Sequence, residues 1–179
     1  MFIRTATIGA LAAAVLALGG RSAPTFTLQS SGAVTLHATG HEARYGVVPQ
    51  AIRGRPILIV SLGATASAGA LQLTVAGDRP PAPGRYPVRS SWDELGTDST
   101  AFHASFMPGS VDRPLGWYHG ESGWVTITEA SSDRMSGTFE VRARGFTAAD
   151  PLDEERWVTV RGSFDADGDS TASTSTAIR

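Results

Sequence analysis

Phe139-Glu140-Val141-Arg142-Ala143-Arg144 sets an apolar side chain against a charged one at every step. Such alternation marks a strand with one buried and one wet face, because successive strand side chains leave opposite sides of the backbone. The same reading extends outward. Val158 and Val160 oppose Thr159 and Arg161 before Phe164, and Val125 and Ile127 oppose Thr126 and Thr128. Further upstream Phe102, Ala104 and Phe106 oppose His103 and Ser105, and Leu71, Leu73 and Val75 flank Gln72 and Thr74. Phe26 and Leu28 alternate with Thr25 and Thr27, as Val34, Leu36 and Ala38 do with Thr35, His37 and Thr39. Ile57 to Leu62 is a nearly continuous apolar run, as in a strand covered on both faces.

Between these runs lie turn-forming clusters: Ser30-Ser31-Gly32, Gly77 to Pro81, Pro108-Gly109, Gly120-Glu121-Ser122-Gly123 and Ser131-Ser132-Asp133. Glycine, proline and short polar side chains reverse a strand through dihedral freedom or local hydrogen bonds. Eight or more short strands at even spacing predict an all-β fold, a single-domain antiparallel sandwich or flattened barrel. Sequence neighbours should mostly pair. One domain over residues 24–165 is expected, with helical turns only at Ser91–Leu95 and Ala149–Arg156. The Ser/Thr/Ala-rich segment 166–179 reads as a disordered tail, because it lacks apolar surface to offset its ordering entropy.

Residues 1–23 read as a secretory signal: Arg4 and the α-amine, an apolar run from Ile8 to Leu18, then Gly19, Gly20, Ser22 and Ala23. The run is shorter than the ~20 residues of a membrane span, so the mature protein is expected to have none. Cleavage after Ser22 would place small residues Gly20 and Ser22 at the −3 and −1 positions. The 179 residues include no Cys, which excludes disulfides, cysteine-ligated metal and thiol chemistry. All 15 basic residues are Arg, there is no Lys or Asn, and the bias matches a GC-rich bacterial source. A net charge of −2 with scattered Arg argues against nucleic acid as a partner.

The run Gly123-Trp124-Val125-Thr126-Ile127-Thr128, then Gly137-Thr138-Phe139-Glu140-Val141-Arg142-Ala143 and Val158-Thr159-Val160-Arg161-Gly162-Ser163-Phe164, resembles a family of exported β-rich bacterial lipoproteins. That family shows a G-x-x-T-I-T … G-T-F-x-F-x-A … V-x-V-x-x-G-x-F pattern, and Pro83-Gly84-Arg85-Tyr86 looks like its turn before a strand. Leu18-Gly19-Gly20 is similar to its lipobox, but Arg21 stands where the lipidated Cys belongs, so no lipid is attached here. The resemblance implies an all-β fold and an envelope location. It carries no activity. Physically, Gly137 and Gly162 mark bulges or close backbone approach, with Phe139 and Phe164 pointing into one core.

Several groups invite a chemical reading. Asp165, Asp167 and Asp169 alternate as in a calcium loop, but the slots for its Gly and bidentate Glu hold Ser170 and Thr176. An acidic turn is the expectation, with no metal site. Gly120-Glu121-Ser122-Gly123 echoes a serine nucleophile motif, yet Trp124 occupies the last position of G-x-S-x-G, and no context selects a histidine among His37, His41, His103 and His119. Glu154-Glu155 near Asp150 and Asp153 reads as a solvated loop. Trp92, Trp117 and Tyr118, with Trp124, are the aromatics able to line a ligand cavity. The sequence therefore predicts an exported envelope protein, non-catalytic and without cofactor, whose partner, an envelope component or a small apolar ligand, is unknown. The alternative is a calycin-like carrier of a small apolar ligand, and a hydrolase ranks third.

Overall fold

A computed structural model describes residues 22–63, 70–90, 97–110, 112–148 and 155–169. Among these there are twelve strands and no helix. They are β1 (Thr25–Gly32), β2 (Leu36–Gly40), β3 (Ala43–Ile52), β4 (Arg55–Leu62), β5 (Ala70–Ala76), β6 (Gly84–Pro87), β7 (His103–Met107), β8 (Gly109–Ser110), β9 (Arg113–Pro114), β10 (Gly116–Ala130), β11 (Arg134–Thr147) and β12 (Arg156–Gly168). The all-β expectation holds. The helical turns placed at 91–95 and 149–154 lie outside the described residues, whereas Arg156 opens a strand.

Hydrogen bonding closes a ring through β3, β4, β5, β7, β10, β11 and β12, because β12 pairs both with β11 and, in parallel, with β3. The ring has two short seams, β7–β10 and β3–β12, of two residue pairs each. One layer runs β2-β1-β12-β11-β10-β6, the other β3-β4-β5-β7. Two long strands serve both layers. β10 pairs with β7 at Tyr118 and His119, passes a bulge between Gly120 and Ser122, and then pairs with β6 from Trp124 to Ile127. Residues 120–123 are therefore a bulge inside a strand, not the turn read from their composition. Gly123, at φ 132°, supplies a conformation other residues avoid. β12 follows β1 and β11 for most of its length and meets β3 at Asp167 and Gly168.

Cross-strand partners give the stagger of the ring. Arg144 opposes His119, which opposes Ser105, and the row continues through Gln72, Ser61, Arg44 and Asp167 to Arg134. One circuit thus slides from residue 144 to residue 134. Seven strands with a ten-residue stagger imply a strand tilt of about 45° and a backbone radius of about 8 Å. The row is polar throughout and lies on the outer face. One residue along each strand, Gly145, Tyr118, Phe106, Leu71, Leu62 and Ala43 form an inner row, all apolar but for the tyrosine hydroxyl. A single step of register would exchange the two rows, which fixes the pairing.

The core joins both layers. Phe26, Leu58, Leu73, Phe106, Phe139, Val160 and Phe164 belong to one buried cluster. Gly137 is the Cα partner of Phe164, and Phe139 that of Gly162. A β-carbon on Gly137 would fall 3.1 Å from the Phe164 ring, and one on Gly162 2.8 Å from the Phe139 ring. Each phenylalanine covers the bare backbone of the neighbouring strand, as an aromatic side chain rescues a strand glycine. β12 also continues past the domain boundary expected at residue 165: Ala166 is fully buried, and its apolar contact keeps the strand in the sheet through Gly168.

Phe139→Ala is expected to cost about 3–5 kcal/mol. Gly162→Ala should cost about 3 kcal/mol by overpacking. Arg142→Ala, on the opposite face of the same strand as Phe139, should cost about 0.5–1 kcal/mol through its lost contact with Trp157. Denaturant midpoints order the three, and equal midpoints for Phe139→Ala and Arg142→Ala would refute the facing of β11.

Candidate functional site

Trp117 and Tyr118 are consecutive on β10, so they leave opposite faces. Tyr118 is fully buried, its ring centroid 6.3 Å from that of Phe106, while Trp117 is 57% exposed. They do not share a pocket. Trp92 lies outside the described residues. Trp124 is half-buried on the outer side with the Arg85 guanidinium 4.7 Å above its ring. Trp117, Tyr118 and Trp124 are thus dispersed over both faces of one strand.

What gathers instead is an outer patch. Leu115, Trp117 and Phe146 are exposed by 53%, 57% and 45%, and Trp117 and Phe146 are direct cross-strand partners. The Ala148 amide donates to the Leu115 carbonyl, which brings the two chain ends of the patch together. Pro114, Gly116, Trp117, Phe146, Thr147 and Ala148 line a shallow groove of about 220 Å³. Below it Arg144 pairs with Glu121 at 3.1 Å and Glu155 at 2.8 Å. Arg142 stacks over Trp157 at 4.2 Å. Of the acidic loop read near residue 150, Glu155 alone is described, and it belongs to this network.

The aspartates have a partner. Arg134 donates from Nε to Asp165 Oδ1 at 2.6 Å and from Nη2 to Asp165 Oδ2, and from Nη1 to Asp167 Oδ1 at 3.5 Å. Its remaining donors reach the Ser22 carbonyl at 2.7 Å and the Ser22 hydroxyl at 2.8 Å. All five guanidinium N–H groups are engaged on a side chain only 12% exposed. Asp169 lies 3.7 Å from Arg44. Asp165 and Asp167 sit on a regular strand, where alternate side chains run along a line, and Asp169 follows its end. Sequence reading found the acids and missed Arg134, because the cation stands thirty-one residues away and meets them only through the β11–β12 register.

The histidines do not assemble. His37 and His41 are exposed around the end of β2, with His41 Nδ1 3.3 Å from the Pro24 carbonyl. His119 lies beside Trp117, ring centroids 6.1 Å apart. His103 is buried, although the alternation of β7 points it outward. Near it, Asp98 accepts hydrogen bonds from the amide and hydroxyl of Thr100, which, with Arg89 and His103 adding positive charge, hold its carboxyl below the usual range. Ser122 stands exposed in the β10 bulge. Among the described residues no three His, Asp or Glu side chains are placed to share a metal ion. Comparison of the chain with protein-family models, curated proteins and solved structures found no match.

One polar atom in the core is notable. The Tyr118 hydroxyl makes no hydrogen bond among the described residues, and burial pushes its pKa up. Tyr118→Phe should therefore leave stability unchanged or raise it by about 1 kcal/mol; a loss of that size would mean that the hydroxyl has a partner. For the aspartates, the unfolding midpoint should move by no more than about a degree between chelator and ~1 mM calcium. A rise of several degrees that Asp167→Ala abolishes would establish a calcium site.

Proposed function

We propose that the protein is an exported bacterial envelope protein, a non-catalytic β-barrel module that works through its outer surface. The observation that carries this reading is the placement of Leu115, Trp117 and Phe146 outside a barrel whose inward positions form one packed cluster. A large apolar side chain costs solvation when exposed, and the cross-strand pair Trp117 and Phe146 with Leu115 nearby supports a contact surface. The apolar N-terminal segment and the lipoprotein-like pattern support export. Arg44, Arg134, Glu140, Arg142, Arg161 and Asp167 occupy outer positions along the strands, where a membrane-spanning barrel would carry an apolar band of about 25 Å.

A specific observation favours the carrier as second reading. The unpartnered Tyr118 hydroxyl inside the barrel is the kind of group that would anchor the polar end of a bound molecule. Against it stands the narrow ring, seven strands around a radius of about 8 Å, which side chains suffice to fill. For a hydrolase, Ser122 and the scattered histidines supply no converging pair.

Fractionation of the native host with intact-mass measurement tests the proposal. The expected result is an envelope-located chain without its apolar N-terminal segment, and native mass spectrometry that shows no retained small molecule. A cytoplasmic chain with its N-terminus intact would overturn export. A co-purifying small molecule, lost in Tyr118→Phe, would make the protein a carrier.

A further inference from the structure

Strand edges left open by a sheet are usually blunted, because bare N–H and C=O groups invite another strand. The described part of this fold blunts them unequally. β3 beyond Gly46, where β12 has ended, carries Pro49 and then Gln50 at φ 56°. β6 is preceded by Pro83, contains Arg85 and ends on Pro87, whose carbonyl is taken by the Phe102 amide. β2 has none of these devices. It pairs with β1 on one side, and among the described residues nothing pairs with the other. Leu36-His37-Ala38-Thr39-Gly40 contains no proline, no glycine before its end, no bulge and no permanent charge.

The faces of β2 tell the same story. Every second residue of its neighbour β1, namely Phe26, Leu28 and Ser30, is buried. In β2 the corresponding inward residues Leu36 and Ala38, and Val34 before them, are only partly buried against the core. The core is therefore less completely covered at the strand whose edge is unprotected.

We propose that β2 is a self-pairing edge: two copies of this chain join antiparallel through β2 about a two-fold axis at Ala38. In that register Leu36 faces Gly40 of the other copy and His37 faces Thr39, so a large inward side chain meets the smallest one and no like charges oppose. Leu36 and Ala38 of both copies then form one covered apolar row. The two six-strand layers become a single sheet across the axis. A foreign strand would need complementary side chains of its own, whereas a second copy brings the matching sequence and the same unblunted edge. This inference does not depend on export or on the outer patch at Trp117.

The purified full chain is examined by sedimentation over a range of concentrations, with His37→Lys/Thr39→Lys as the blocking variant and Ala38→Cys as the reporter. His37 and Thr39 are exposed on the outer face, so the double variant should keep the unfolding midpoint of the monomer. The expected result is a reversible dimer of twice the monomer mass, weakened at least about tenfold by the two lysines. Mixing with His37→Glu/Thr39→Glu should restore pairing. Ala38→Cys, the only thiol in the chain, should cross-link on mild oxidation because opposed strand residues lie within disulfide reach. A monomer at every concentration overturns the proposal. So does a dimer indifferent to the lysines, or one that Trp117→Cys cross-links and Ala38→Cys does not.

Discussion

A β-carbon on residue 162 would lie 1.9 Å from the Thr27 carbonyl oxygen, and one on residue 137 would lie 2.2 Å from that of Thr126. Side chains are excluded at these two places by the backbone of the adjacent strand, so β12 approaches β1, and β11 approaches β10, as closely as they do only because glycine stands there. The space over each glycine is occupied by the phenylalanine of its partner strand, Phe139 over Gly162 and Phe164 over Gly137. Tight approach at glycines is how sheets gain curvature, and an aromatic cover restores the lost packing. From this seam β12 continues, with Ala166 buried, to the short parallel contact with β3 that closes the ring.

Closure governs where function can reside. A ring of seven strands leaves an interior that aliphatic and aromatic side chains occupy, the Tyr118 hydroxyl among them, while the ion pairs lie on the outer face. Arg134 engages Asp165 and Asp167, which ties β11 to β12. Arg142 and Arg144 similarly hold Trp157, Glu121 and Glu155 on the outer face. These charges act as fasteners between neighbouring strands. Leu115, Trp117 and Phe146, by contrast, are apolar and exposed on the same outer side.

The alternation around Phe139 was sufficient to place β11, and similar alternation revealed β1, β5, β7, the second half of β10, and β12. Gly137 and Gly162 were legible as points of close approach because a glycine in a strand has few other uses. β3 escaped notice: Ala43-Arg44-Tyr45-Gly46-Val47-Val48 alternates weakly, and its length comes from pairing with β4, a tertiary cause. The first half of β10 was hidden by Gly120 and Gly123, which punctuate a turn and a bulge alike. Trp117 and Tyr118 could not be grouped correctly without facing, since adjacent strand residues look together in sequence and point apart in space. Arg134 could not be matched to its aspartates without the register of β11 on β12.

Amide hydrogen exchange at Asp169 tests the closed ring most directly. Its N–H donates to the Tyr45 carbonyl at 2.8 Å, immediately beyond the parallel pairs of Arg44 with Asp167 and Tyr45 with Gly168. In a closed barrel this amide is expected to exchange slowly, in step with those of the neighbouring β12 strand. Exchange at the rate of an unstructured chain, with Val160 still protected, would mean that β12 never reaches β3 and that the two layers form an open sandwich.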